Sequence, residues 1–136
     1  GHRRWTAFEP EPDDEFFEVS SPAVVDAEGF VGIRGVNGTS RRYAIAAVDL
    51  QDGAIRWHRP VDQHPSQIVA GRDAVVVGTA VADEAPNAPG GSVRAYDRDD
   101  GRERWRIPTR SPVSSLALVD GTVFGSTGRG GVLAIR

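Results

Sequence analysis

The 136-residue sequence contains no Cys, no Met and no Lys, so all 16 of its basic residues are Arg. The absence of Cys excludes disulfides, thiol nucleophiles and thiolate metal sites. The formal charge of −3 leaves no excess of basic residues for phosphate contacts, which argues against binding to nucleic acid. No apolar run approaches the roughly 18 to 20 residues of a membrane span. The composition is therefore that of a globular domain.

The missing Met also bears on the ends of the chain. A sequence without an initiator residue indicates a processed product or an excised segment, and Gly1-His2 fits the remnant of a cleaved tag. Frequent Ala, Gly, Val, Arg and Asp without Lys favours a GC-rich bacterial genome. A chain of this length is most simply one domain, so residues 1–136 are predicted to fold as a unit.

Short β-branched runs separated by turn residues recur along the whole chain. Nowhere does a 3.6-residue apolar period run for ten residues, so no helix is predicted. The turns are marked by Gly with Asp or Asn, which is typical of hairpins. The predicted strands are 3–8, 19–26, 30–36, 43–50, 54–60, 66–70, 74–81, 92–97, 102–108, 111–119, 122–126 and 132–136.

Two of the predicted hairpins are near copies of each other. Residues 47–57 and 95–105 are identical at six of eleven aligned positions, and their tryptophans lie 48 residues apart. A period of about 40 to 50 residues with four strands in each repeat is typical of propeller blades. The sequence therefore predicts a β-propeller architecture.

The residues shared by the two copies have structural roles. An Asp side chain accepts backbone N–H groups in the turn, a Gly adopts a positive φ, and a Trp offers a flat surface for packing between blades. A partial copy of the motif ends at Trp5. The predicted structural motif comprises Asp49, Gly53, Trp57, Asp97, Gly101, Trp105 and Trp5.

The pattern Ala-x-Asp-x-x-x-Gly-x-x-x-Trp, with Ser-Pro-Ala-Val-Val-Asp followed by Phe-Val-Gly, resembles the repeat of the PQQ-like (pyrroloquinoline-quinone dehydrogenase-type) β-propellers. That superfamily includes quinoprotein dehydrogenases, outer-membrane assembly lipoproteins and sensor domains of bacterial kinases. For the dehydrogenases the resemblance implies a vicinal disulfide, a stacked Trp and a calcium ion held by Glu, Asn and Asp beside a catalytic Asp. This chain has no Cys, and the calcium ligands correspond to none of its residues, so dehydrogenase activity is not predicted.

The two ends of the chain fall within the same motif. Residues 1–5 correspond to 101–105, and residues 134–136 correspond to 95–97. We therefore predict an all-β fold, a β-propeller segment of three four-stranded blades, strand-shifted so that the N-terminal strand completes a C-terminal blade. The predicted blades are about 17–60, 65–108, and 111–136 plus 3–8. Because propeller rings have about four to eight blades, we expect either self-association, most simply two chains in a six-blade ring, or a fragment of a larger propeller.

Other residue groups fit catalytic or metal sites less well than structural roles. His58, Asp62 and His64 match no metal-ligand spacing, and the acidic turn at 97–101 lacks the distal Glu of a calcium loop. The glycine-rich segment 125–131 has neither a Lys nor a following helix and is predicted to be a turn.

The serines at Ser20, Ser21, Ser114 and Ser115 lie in first-strand positions without a nucleophile elbow. The acidic run 9–15 is predicted to be a solvated loop, because its prolines prevent a regular ladder. The insertion 82–91 is predicted to be a flexible loop or a recognition loop on one face of the ring.

The predicted function is that of a non-catalytic propeller module for binding or scaffolding, with protein or peptide partners and neither a cofactor nor a metal. One alternative is a fragment of a quinoprotein-type dehydrogenase or sensor propeller whose cofactor site lies outside this chain. Another is an engineered or truncated propeller unit that self-assembles. The resemblance favours the bacterial cell envelope or secretion.

Overall fold

A computed structural model describes residues 1–81, 90–128 and 130–136. Twelve β-strands and no helix occur in this part of the chain, which confirms the predicted all-β class. The strands are β1 (Phe16–Val19), β2 (Ala23–Val25), β3 (Glu28–Asn37), β4 (Ser40–Asp49), β5 (Ile55–Val61), β6 (His64–Ala70), β7 (Ala74–Ala80), β8 (Gly91–Asp97), β9 (Glu103–Thr109), β10 (Val113–Val119), β11 (Thr122–Thr127) and β12 (Val132–Ile135).

The strands form three antiparallel sheets in sequence order. Blade 1 contains β1 to β5, with β1 and β2 both paired to β3 and therefore sharing the first strand position. Blade 2 has the order β6-β7-β8-β9, and blade 3 has the order β10-β11-β12. In blades 1 and 2 the third and fourth strands pair in the same register, with Ala47 opposite Trp57 and Ala95 opposite Trp105. The sequence repeat is thus a repeat of strand pairing.

The first strand of each blade is interrupted at a serine. The predicted continuous strand 19–26 is wrong, because the chain leaves the ladder between β1 and β2 at Ser20, and Pro22 has no N–H to donate. The Ser20 Oγ atom instead accepts the Gly32 backbone N–H at 2.8 Å. Register shifts occur at Ser66 in β6 and at Ser114 in β10. Ser66 donates to the carbonyls of Gly78 and Val113, both at 3.1 Å, and so joins blade 2 to blade 3.

Apolar side chains fill the spaces between neighbouring blades. Val75 and Val77 of β7 face blade 1, whereas Val76 faces blade 3, because side chains alternate along a strand. The core between blades 1 and 2 comprises Phe30, Ile45, Ala47, Trp57, Val75, Val77 and Tyr96. The core between blades 2 and 3 comprises Val76, Val93, Ala95, Val113 and Val123. The blades are therefore held together by face-to-face burial.

The N-terminal segment lies against blade 1. Residues 1–15 contain no strand, so the predicted strand 3–8 is wrong, and β12 pairs only with β11 among the described residues. Phe8 packs on the outer face of blade 1, against a cluster that includes Val31 and Ala46. A strand requires a neighbouring ladder, and blade 3 is at the other end of the row of blades from this segment.

The acidic run that follows is anchored at one residue. Asp14 accepts hydrogen bonds from the Glu11 backbone N–H at 2.7 Å and from Arg42 Nη2 at 2.9 Å. Its side chain is 2 % exposed, whereas the side chain of Glu11 is 68 % exposed. The hydrogen bond from Arg42 lowers the pKa of Asp14 below its usual value. The predicted solvated loop therefore contains one buried carboxylate.

Candidate functional site

The two hairpins have the same residue spacing, and their turns have the same hydrogen bonds. Asp49 accepts the Gln51 backbone N–H at 2.8 Å, and Asp97 accepts the Asp99 backbone N–H at 2.9 Å. Gly53 has a φ of 76°, in the left-handed region that favours glycine. Each turn therefore needs an acceptor at its start and a glycine near its end.

The carboxylates of these turns also bind arginines on the fourth strand. Arg56 Nη2 lies 3.1 Å from the Asp49 carboxylate, and Arg104 Nη2 lies 3.0 Å from that of Asp97. The backbone N–H groups of the turns, followed by these ion pairs, hold the pKa of both carboxyls below the usual value. Both groups are acceptors in a turn, and their role in the structure is to fix the hairpin.

Trp57 makes a contact between blades that depends on the next hairpin. Its indole N–H donates to the Arg98 carbonyl at 2.8 Å, and its ring lies over Gly101. A Cβ atom on Gly101 would come within 2.5 Å of the ring. The glycine is thus required both by its φ of 74° and by the close approach of the ring.

Trp5 makes the same contact one blade earlier. Its indole N–H donates to the Leu50 carbonyl at 3.2 Å, and its ring lies against Gly53, where a Cβ atom would meet it at 2.7 Å. Leu50 and Arg98 occupy equivalent positions in the two hairpins. The contact is therefore repeated although residues 1–15 form no strand.

Trp105 is the third tryptophan of the series and lacks this contact in the structure. Among the described residues its indole N–H has no acceptor, and no glycine lies against its ring. It borders a cavity of about 370 Å³ between blades 2 and 3, together with Leu118, Ile135 and Arg136. The hairpin that would meet Trp105 would follow β12.

Arg98 joins the turns of two blades, a role that the sequence did not reveal. Its Nη2 atom lies 2.9 Å from the Asp26 carboxylate and 3.0 Å from that of Glu28, both in blade 1. Its Nη1 atom donates to the Arg72 carbonyl in blade 2. Arg98 stands where the first hairpin has Leu50. Comparison of the two copies therefore shows that the residue differs, but it does not show which residues Arg98 binds.

A cleft of about 560 Å³ separates the last strand of blade 1 from β8 and β9 of blade 2. Arg94 lies in its wall with 1 % of its surface exposed, and Nη1 binds the Asp62 carboxylate at 2.6 Å. Arg106 also lies within 3.6 Å of Asp62. Partial burial opposes the charged form of Asp62, but the ion pair with Arg94 outweighs it and lowers the pKa. Sequence reasoning missed this cleft, because its two walls come from different repeats.

The other candidate residues are dispersed. Asp62 pairs with arginines, and His64 lies against Tyr43 with ring centroids 5.8 Å apart. Burial, and secondly the charge of Arg34, lowers the pKa of His64. No cluster of three metal-ligating side chains occurs in the part of the chain that the structure describes.

The glycine-rich segment 125–131 leads from β11 towards β12. The Thr127 backbone N–H donates to the Gly131 carbonyl, and Gly130 has a φ of 84°, as in the predicted turn between β11 and β12. The insertion 82–91, predicted to be a flexible loop or a recognition loop, lies largely outside the described residues, which exclude 82–89. No helix capable of spanning a membrane is present among the residues described.

Comparison with known proteins places these features among propellers. A family model described as outer membrane protein assembly factor BamB matches residues 1–136. The quinate/shikimate dehydrogenase (quinone) of Acinetobacter baylyi is 33 % identical over 92 residues, which is 66 % of this chain and 10 % of the dehydrogenase. This chain thus spans about a tenth of the length of that relative.

Two solved structures share the fold at low sequence identity. BamB from Moraxella catarrhalis superposes with a TM-score of 0.53 and 15 % identity, covering 84 % of this chain and 41 % of that one. The computationally designed Ika4 protein superposes with a TM-score of 0.59 and 11 % identity, covering 100 % of this chain and 98 % of that one. At these identities the likeness concerns the fold alone, and it confirms the predicted propeller blades.

Proposed function

Because the chain belongs to the PQQ-type β-propeller family described as outer membrane protein assembly factor BamB, we propose that it is a non-catalytic propeller module for binding or scaffolding proteins. Its blades carry a docking contact that repeats from one blade to the next, and its outer faces accept further blades or partner proteins. The family description, which names outer-membrane assembly, favours a place in the bacterial cell envelope.

The observation that carries this proposal is an apolar face on blade 3. Phe124 is 42 % exposed and Val132 is 81 % exposed. Phe124 pairs with Ala117 and Ala134, so it occupies the position in blade 3 that Val76 occupies in blade 2. Val76, in contrast, is only 2 % exposed. Val76 is covered by blade 3, so the equivalent face of blade 3 is suited to cover by another blade. Apolar faces of this kind mark interaction sites.

The cavity beside Trp105 supports the same proposal. In the two docked positions, a hairpin glycine and a carbonyl meet the indole. The cavity at Trp105 is where a third hairpin would supply both. Among the described residues β12 pairs with β11 alone, and such a hairpin would continue from its other edge.

For the 136-residue chain in isolation, we propose a second copy as the occupant of this face. The outer face of blade 1 carries the N-terminal segment, whose Trp5 already docks as the residue of a preceding blade would. Head-to-tail stacking of two copies would place this segment beside β12 and give a ring of six blades, within the usual range of propellers. In a longer protein, further blades of the same chain would occupy this place.

Sedimentation velocity tests this association. We expect a concentration-dependent dimer for the wild-type chain and a shift to monomer in the Phe124→Gln variant, because a polar side chain would be buried without a partner. The matched control is Ile55→Gln, which alters a side chain 51 % exposed on the outermost strand of blade 1 and should leave the dimer intact. A folded wild-type monomer at all concentrations, or equal effects of the two variants, would contradict the proposal.

A second candidate is a segment of a quinoprotein-type dehydrogenase, and the 33 % identity to the Acinetobacter enzyme favours it. Thermal unfolding with added pyrroloquinoline quinone and calcium separates the two candidates. We expect an unchanged melting temperature for the binding module. A rise that depends on both additives would support the dehydrogenase segment, because a ligand that binds only the folded state stabilises it.

A further inference from the structure

The cleft between blades 1 and 2 contains a buried arginine with an unused donor. Arg94 is 1 % exposed, and its Nη2 atom is buried without a hydrogen bond of ordinary geometry among the described residues, although the Tyr96 hydroxyl lies close enough to interact with the guanidinium. Its Nε atom donates to Ser92 Oγ at 2.8 Å, and its Nη1 atom binds Asp62. A buried donor without a partner destabilises the folded protein, because it loses its hydrogen bonds to water without gaining another. Arg94 therefore lowers the stability of the fold unless a hydrogen-bond acceptor from another molecule reaches its Nη2 atom.

Comparison of the blades shows that this arginine is a departure from the repeat. Arg94 corresponds to Ala46 in blade 1, where the small side chain packs under the N-terminal segment. Asp62, which binds Arg94, corresponds to Arg110 in the next connection. The ion pair therefore exists only at the junction of blades 1 and 2, and the repeat does not require it.

A network of buried hydroxyl groups fixes Arg94 in the cleft wall. Thr79 Oγ1 donates to Gln63 Oε1 at 2.6 Å, and Ser92 Oγ lies 2.7 Å from Thr79 Oγ1 and 3.2 Å from Gln63 Oε1. These partners occupy one side of the guanidinium. The orientation of Arg94 is thus set by its neighbours, and it needs little rearrangement to receive a ligand.

Four arginines and three acidic residues line the cleft, which leaves an excess of one formal positive charge. Arg59 and Arg102 are exposed, and neither forms an ion pair with a described residue. Arg59 donates only to the Asp100 carbonyl, at 2.8 Å. The acidic residues of the wall have partners of their own. Asp62 and Glu103 bind arginines, and Asp100 accepts the Arg102 backbone N–H.

The shape of the cleft suits a short stretch of polypeptide. Its volume of about 560 Å³ falls in the range of sites for small ligands. The strands on its two sides, β5 and β9, are the outermost of their sheets, so both have main-chain groups directed away from their own ladders. Pro60 and Pro108 remove one donor from each edge.

We propose that this cleft binds an extended acidic peptide segment of a partner protein, with one carboxylate reaching Arg94 and others meeting Arg59 and Arg102. This inference rests on the proposed function only in taking the partner to be a protein. The carboxylate accepts the unused N–H groups of Arg94, directly or through a water molecule, and the bound peptide excludes solvent from the cleft. Guanidinium and carboxylate form the strongest class of hydrogen-bonded pair in proteins.

Fluorescence anisotropy with the 136-residue chain tests the proposal. The probe is fluorescein-labelled tetraglutamate with an amidated C-terminus, and the comparison probe is the matched tetraglutamine. We expect saturable binding of the glutamate probe that weakens as salt is raised, and at least about tenfold weaker binding of the glutamine probe. Arg59→Gln and Arg102→Gln should each reduce affinity by about two- to fivefold.

The control variant is Arg110→Gln, which removes one exposed positive charge outside the cleft and should leave binding unchanged. Arg94→Met should abolish binding. If it fails to fold, the Arg59 and Arg102 variants still decide. Equal loss in Arg110→Gln and Arg102→Gln, equal binding of the two probes, or no saturable binding would overturn the proposal. The cleft lies away from Phe124, so failure here is distinct from failure of the association experiment.

Discussion

The glycine of each docking hairpin is needed for two separate reasons. Gly101 has a φ of 74°, which side chains other than glycine rarely adopt, and the Trp57 ring occupies the space in which a Cβ atom would lie. Gly121 has a φ of 75° but has open space around its missing side chain. A side chain at either position would force the same left-handed backbone strain. Only at Gly101 would it also collide with a tryptophan ring.

This difference gives a prediction for single substitutions. Gly121→Ala should destabilise the fold by about 1 to 2 kcal/mol, the cost of a left-handed conformation. Gly101→Ala should cost about 1 to 3 kcal/mol more, because the added methyl group displaces the Trp57 ring. Urea unfolding at one fixed protein concentration measures both values. Equal destabilisation would show that the ring contact contributes nothing to stability.

At this scale a turn depends on neighbouring residues, so its chemistry can be proposed from the sequence alone. Asp49 and Asp97 accept backbone N–H groups in the two turns, and Gly53 and Gly101 have positive φ. The partners of Arg94 and Arg98 were not predictable. Arg98 binds two carboxylates of blade 1, and Arg94 binds Asp62 of the connection before blade 2. Comparison of aligned copies does not show which of these positions meet.

At the scale of strands, the repeat of apolar and turn residues located ten of the predicted strands with small shifts at their ends, and the predicted strand 19–26 is divided between β1 and β2. The prediction failed where a strand depends on tertiary context. Residues 3–8 have the sequence pattern of a fourth strand, yet they have no ladder beside them, and the Trp5 contact and the packing of Phe8 hold them against blade 1. A strand pattern is realised only where a neighbouring edge is available.

The first strands illustrate a second limit. Ser20, Ser66 and Ser114 occupy equivalent positions, and at each the ladder is broken or shifted. The sequence contained this serine in every repeat, and the missing nucleophile elbow argued against catalysis without indicating what the hydroxyl does. The structure shows instead that the Ser20 and Ser66 hydroxyls replace lost backbone hydrogen bonds, and Ser66 reaches the next blade.

At the scale of the molecule, the blades form a row in which each interface repeats the previous one. The N-terminal segment covers the outer face of blade 1, two cores lie between the blades, and the face of blade 3 carries exposed apolar side chains. In repeat proteins, stability comes mainly from such interfaces between neighbours. A row of this kind gains stability by adding one more interface, which is the physical basis of the proposed association.

The docking of tryptophans can be followed directly, because the chain has three and each has one indole N–H. Hydrogen exchange of the indole N–H signals, observed by NMR and assigned with Trp→Phe variants, should show slow exchange for Trp57 and Trp5 at every protein concentration. Trp105 should exchange rapidly in dilute protein and become protected as the concentration rises and the N-terminal segment of a second copy covers the cavity beside it. Slow exchange of Trp105 in dilute monomer, or rapid exchange that does not change with concentration, would contradict the account.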